Sequence, residues 1–261
     1  MPDAGGLYYE FHGPERGKVL ILSSGLGGSA SYWQPNLAAL SRDHRVLIYD
    51  HRGTGRSDRK LPETTSVEDM AADILALMDA LGIETAGFVG HALGGMIGME
   101  LAIMTTRIES LIIINGWRHL DAHTRRCFEV RLELLRSSGP EAYLHAQPLF
   151  LFPPDWISAH DAELREEARH QLAAFPENAT IEKRIAAVQS YDPELIDVTA
   201  TANWLVIGTH DDMLVPIARS RELAEAVPWG AKFAPLAWGG HACNVTDPER
   251  FNALVLEFLG S

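Results

Sequence analysis

Apolar positions along this chain fall into two alternating patterns. Short apolar runs at Leu7–His12, Val19–Ser24, Val46–Tyr49, Ala86–Val89 and Leu111–Ile114 have the length and composition of strands. Between them lie stretches with helical spacing at Tyr32–Leu40, Val67–Leu81 and Gly94–Met104. In the second of these, Met70, Ile74, Leu77, Met78 and Leu81 share one face. A strand–helix alternation with wholly apolar strands predicts a mainly parallel sheet flanked by helices on both faces. From about Arg118 to Thr199 no strand pattern appears. Helix-like stretches at Thr124–Ser137, Asp161–Ala174 and Ile181–Ser190 are expected there, broken by Pro148, Pro153-Pro154, Pro176 and Pro193. The sheet pattern resumes at Trp204–Ile207 and Lys232–Pro235 around a helix at Ile217–Val227. A last helix follows over Asp247–Leu259, with Asp247 as N-cap and Pro248 at its first position. The expected organisation is an α/β core of residues 1–117 and 200–261 interrupted by a helical cap at 118–199.

Composition narrows the function. A length of 261 residues suits one large domain or a domain with an insertion. A formal net charge of −13 repels phosphate backbones and argues against nucleic acid as a partner. No apolar run approaches the roughly 20 residues that span a bilayer, and the first residues lack a basic-then-apolar signal pattern. The expectation is a cytoplasmic protein acting on a small molecule, away from membranes. Cys127 and Cys243 have no metal-ligand spacing and read as buried free thiols, and no motif calls for a metal or cofactor. Nothing in the chain specifies an oligomeric state.

The candidate chemistry lies in three loops after predicted strands, where open α/β sheets gather their ligand sites. Gly90-His91-Ala92-Leu93-Gly94 sits between a strand and a helix, the setting of the G-x-S-x-G nucleophile elbow. Alanine stands where the serine belongs, so no acyl-enzyme forms at Ala92. The loop Ser23-Ser24-Gly25-Leu26-Gly27-Gly28 is glycine-rich, and the N–H of Leu26 together with that of Leu93 is expected to form an oxyanion hole. An acid after a late strand, Asp212 by preference over Asp211, is expected to orient His241 in the loop Gly239–Cys243. Either acid also suits a helix N-cap. The order of elbow, acid and histidine is what raises His241 above the other histidines of the chain. His91 is a competing acid–base candidate whose side chain is expected to point away from the oxyanion hole. Asn115, Trp117, Arg125 and Arg126 are candidate substrate-binding residues, with an ordinary turn role for Asn115, cap-to-core packing for Trp117 and a solvent or salt-bridge role for either arginine as the alternatives. Arg125 and Arg126 are adjacent on one helix and diverge by about 100°, so at most one faces a substrate. Trp33, Phe150 and Trp156 are candidates for the pocket wall.

With these residues in place, the chain resembles the α/β-hydrolase superfamily over nearly its whole length, including its D-x-R-G-x-G-x-S loop at Asp50–Ser57 (DHRGTGRS). It resembles the RutD-like members most closely, in GLGGSASYW (Gly25–Trp33), VGHALG (Val89–Gly94), NGWRHLDAHTRRCFEVR (Asn115–Arg131), AQPLFLFPPDW (Ala146–Trp156) and GGHACNVTDPERFN (Gly239–Asn252). RutD-like proteins also carry alanine at the elbow, which implies that Ala92 is native rather than an engineered replacement of an esterase serine. The resemblance implies C–N hydrolysis of carbamate, or of 3-aminoacrylate, in uracil catabolism. Physical reasoning points the same way. Loss of serine from a catalytic triad costs about a million-fold, and the roughly thousand-fold acceleration that remains suits only a substrate that already breaks down unaided. A non-catalytic small-molecule binder is the alternative.

Overall fold

The computed structural model of the protein describes residues 3–193 and 202–260. The alternation of side chains in its strands divides the core into two layers. In β3 (Lys18–Ser23), Ile21 faces one cluster while Leu20 and Leu22 face the other. Likewise in β6 (Ile108–Ile114), Leu111 and Ile113 oppose Ile112 and Ile114. One layer packs against α2 (Val67–Ala80) and α3 (Leu93–Met104), through Met70, Ile74, Met96 and Ile97 among others. The other packs against α1 (Gln34–Leu40) and α10 (Pro248–Gly260), through Leu37, Leu40, Phe251 and Val255. The remaining strands are β1 (Asp3–Ala4), β2 (Leu7–His12), β4 (His44–Tyr49), β5 (Ala86–His91), β7 (Asn203–Thr209) and β8 (Lys232–Leu236). The strand order is β1-β2-β4-β3-β5-β6-β7-β8. Those from β4 across to β8 run parallel, while β1 and β2 pair antiparallel at one edge. Register brings the carboxyl ends together, with Ser23 beside Gly90, His91 beside Ile114 and Ile114 beside Ile207. The loops that follow therefore emerge along one edge.

Local signals account for the element ends. Ser66 and Asp69 form a reciprocal capping box at the start of α2. Asp247 caps α10 by accepting from the Arg250 N–H, with Pro248 at its first position. Between β6 and β7 lie α4 (Ala122–Leu151), α5 (Pro154–Ala159), α6 (Asp161–Ala173) and α7 (Asn178–Ser190), while α8 (Ile217–Ala226) follows β7 and α9 (Cys243–Thr246) precedes α10. The expected boundary at 199/200 lies outside the described residues. Pro153-Pro154 and Pro176 separate helices as expected, but Pro148 does not. It sits inside α4, and the interruption falls instead at Gly139, whose φ of 83° and ψ of −177° are open to glycine alone. Pro140 then restarts the helix. Among the described residues no helix is long and apolar enough to cross a membrane.

Candidate active site

The elbow between β5 and α3 is held by sterics that demand glycine on either side. A Cβ on Gly90 would overlap the backbone of Gly94, and one on Gly94 would overlap the Ser23 carbonyl. Ala92 between them has φ 49° and ψ −108°, a strained conformation for any residue with a Cβ. Its N–H donates to the Ile114 carbonyl at 2.9 Å, which pins the turn to the neighbouring strand. The Leu93 amide is the first N–H of a 12-residue helix, so the positive end of the α3 dipole adds to it.

The glycine loop is set by an arginine that sequence reasoning missed. Arg184 on α7 is fully buried and donates from Nε to the Leu26 carbonyl at 3.0 Å and from Nη2 to the Gly25 carbonyl at 3.3 Å. In a planar trans peptide the C=O and N–H point in opposite directions. The Gly25 carbonyl therefore faces Arg184 and the Leu26 N–H faces away from it. Neither the Leu26 nor the Leu93 N–H has a partner among the described residues. Burial pushes the Arg184 guanidinium down to about 10, still charged at neutral pH. Nη2 also donates to His51 Nδ1 at 3.1 Å, and burial together with that cation keeps His51 well below the usual imidazole value.

His241 and Asp212 meet as a buried pair, with Nδ1 to Oδ2 at 2.8 Å. The other Asp212 oxygen accepts from the Leu214 and Val215 N–H groups at 2.7 and 2.9 Å, which locks the carboxylate. Nδ1 donates to the acid, so Nε2 is the nitrogen left for chemistry. Asp211 serves a different purpose: it accepts from the Gly239 and Gly240 N–H groups at 3.2 and 3.0 Å and shapes the loop that carries the histidine. Asn115 donates from Nδ2 to the Gly240 and His241 carbonyls at 3.1 and 2.8 Å, and its Oδ1 accepts from the Thr209 N–H at 3.0 Å. His91 lies against His241, ring centroids 4.6 Å apart, and stacks on Tyr32 at 5.0 Å. Its Nε2 donates to the His241 carbonyl at 2.9 Å, which leaves Nδ1 an unprotonated, unpartnered atom facing Gly25. Burial and the neighbouring His241 hold His91 well below the usual imidazole range.

The α/β hydrolase fold family matches residues 18–243. A Pseudomonas savastanoi protein provisionally named carbamate hydrolase RutD is 46% identical over 258 residues, covering 98% of this chain and 99% of its own. A Caulobacter vibrioides protein of the same name is 48% identical, covering 97% and 95%. The chain belongs to the RutD family of α/β-hydrolase-fold proteins. Among solved structures, an enol-lactonase from Burkholderia xenovorans LB400 superposes with a TM-score of 0.87 at 29% identity, covering 98% of this chain and 96% of that one.

Several sequence expectations for this RutD-family site need correction. Arg125 and Arg126 are both exposed on α4 and face solvent. The buried face of that helix carries Thr124, Cys127, Phe128 and Arg131, a spacing of three, four and seven that would have singled out Arg131. Asn115 spends its amide on backbone groups and braces the His241 loop instead of facing a ligand. Trp117 is buried against Phe128, ring centroids 6.3 Å apart, and its indole N–H has no partner. Trp33 lies in the core layer shared with Phe251, beneath the sheet rather than on a pocket wall. Phe150 lies 5.7 Å from the Arg131 guanidinium, and Trp156 stacks on His160. A cleft of about 290 Å³ lined by Arg52, Leu61, Thr65, Asp69 and Met70 includes none of these loops.

Proposed function

We propose that the protein promotes C–N bond cleavage in a small, intrinsically labile substrate, carbamate or 3-aminoacrylate, with His241 as acid–base and no covalent intermediate. The observation that carries this reading is a locked His241–Asp212 pair in a chain whose elbow position, Ala92, has no hydroxyl to activate. A histidine with Nδ1 committed to a carboxylate has Nε2 free to serve water or a leaving amine. For carbamate, protonated His241 gives its Nε2 proton to the nitrogen as the C–N bond breaks, and ammonia, carbon dioxide and neutral imidazole result. For 3-aminoacrylate, His241 assists addition of water to the imine tautomer, and ammonia leaves from the resulting carbinolamine to give malonic semialdehyde. The Leu26 and Leu93 amides stabilise negative charge on oxygen, and α4 to α7 act as the cap that keeps bulk water out. General acid–base help is worth about 10² to 10⁴, which is enough for a compound already decomposing unaided. The provisional name of the relatives, carbamate hydrolase, agrees with this assignment.

The missing hydroxyl also suits a non-catalytic binder of the same small molecules. Stopped-flow measurement of carbamate decay, with and without protein and with 3-aminoacrylate in parallel, separates the two. The proposal expects faster decay of at least one substrate in proportion to protein concentration. Unchanged decay of both at saturating protein leaves the binder.

A further inference from the structure

Two arginines buried in the helical segment lack any carboxylate partner among the described residues. Arg184 braces the glycine loop, as described. The second, Arg131, is 4% exposed. Its Nη2 donates to the Tyr143 hydroxyl at 2.6 Å, while Nε is buried with no hydrogen-bond partner. The guanidinium carbon lies 4.9 Å from the Tyr143 ring centroid and 5.7 Å from that of Phe150, so its surroundings are aromatic. Aromatic faces attract a cation but do not replace a counter-charge, and a buried charge without one is costly.

The position of Arg131 shows where that counter-charge would enter. Thr124 on the same helix face donates to the Leu214 carbonyl at 3.0 Å, and Cys127 lies 3.7 Å from the Met213 carbonyl. Both carbonyls follow directly on Asp212. Arg131 stands one helical turn beyond Cys127 on that face, on the side of α4 that packs toward the loop following Asp212. Tyr143, having accepted from Arg131, keeps its own proton for another acceptor. The arrangement thus offers two unused donors, Arg131 Nε and the Tyr143 hydroxyl, and no carboxylate partner among the described residues.

We propose that Arg131 and Tyr143 form a carboxylate-binding subsite above the His241–Asp212 pair, so that the substrate is held as a short-chain carboxylate anion. Bidentate pairing of guanidinium and carboxylate fixes the plane of the anion, and with it the direction from which the C–N bond meets His241. The inference rests on the reading above only in placing substrate beside His241.

The test is calorimetric titration of the full chain with propionate and with its neutral isostere propionamide. Propionate is expected to bind and propionamide to bind about tenfold or more weakly. Arg131→Gln should weaken propionate by about tenfold or more, Tyr143→Phe by less, and Arg131→Lys should retain part of the affinity. Arg125→Gln, on the exposed face of α4, should bind as the parent does. If Arg131→Gln does not fold, the lysine and Tyr143→Phe variants carry the same comparison. Absence of propionate binding, equal affinity for the two probes, or variants that lose thermal stability with no change in affinity would overturn the subsite and leave Arg131 a packing residue. Carbamate and 3-aminoacrylate decay on the same proteins separates the two claims. Arg131-dependent binding without any acceleration retains the subsite and removes the catalytic reading, while acceleration without propionate binding does the reverse.

Discussion

Ala92 combines a strained backbone with an absent function. A φ of 49° is the conformation that projects a nucleophile from a strand-to-helix turn, yet the side chain ends at a methyl group. The turn is intact, so restoring the oxygen is a clean probe. Ala92→Ser is expected to gain slow turnover of p-nitrophenyl esters and labelling by fluorophosphonates, both undetectable in the parent protein. Labelling of the parent at Ser24, which is buried with an unpartnered hydroxyl, would mean that the nucleophile had been misplaced. The two neighbouring acids divide their work by a single residue of register. Asp212 grips the imidazole and Asp211 grips the backbone of Gly239 and Gly240. Asp212→Asn should therefore lower acceleration more than Asp211→Asn does, as measured by substrate decay at fixed protein.

At the level of elements, the strands and the order of the site loops were legible because wholly apolar runs and glycine punctuation are local signals. Asp211 and Asp212 both follow β7, and the turn into the next helix, the ground for preferring Asp212, brings that residue and not Asp211 to His241. Pro148 misled because proline is read as a helix breaker, whereas packing retains it within α4 and the break falls at Gly139. Arg131 and Arg184 occupy apolar faces at helical spacing, Arg184 beside Ile181, Ile185 and Val188. That spacing was the available signal, and the packed structure shows both buried. Arg184 ties α7 to the glycine loop that carries Leu26, which gives it a measurable role in positioning. Arg184→Gln leaves the Gly25 and Leu26 carbonyls short of donors, a loss of roughly 1–3 kcal/mol. Acceleration should fall by about tenfold or more, with partial recovery in Arg184→Lys. A variant with lowered melting temperature but undiminished acceleration would confine Arg184 to a structural part.

Across the whole molecule, a net charge of −13 surrounds a site braced by buried cations and neutral imidazoles. His51 and His91 are both held well below 6.5 in the folded protein. The unfolded chain takes up protons at these positions below about pH 6.5, and the folded protein does not. Stability therefore stands in full above that pH and declines as pH falls through it, by roughly 1.4 kcal/mol per pH unit for each group. Denaturant midpoints measured between pH 7 and pH 5 should fall, and less steeply in His91→Asn, which lacks one of the two groups. A slope identical to that of the parent would show that His91 is protonated in the folded state.

The proposed chemistry rests on His241, without any oxygen nucleophile at residue 92. Substrate decay in the presence of His241→Ala tests it most directly, with circular dichroism to establish that the variant is folded. Acceleration over the spontaneous reaction is expected to drop by about 10² to 10⁴. Equal acceleration by the folded variant and the parent protein would contradict it.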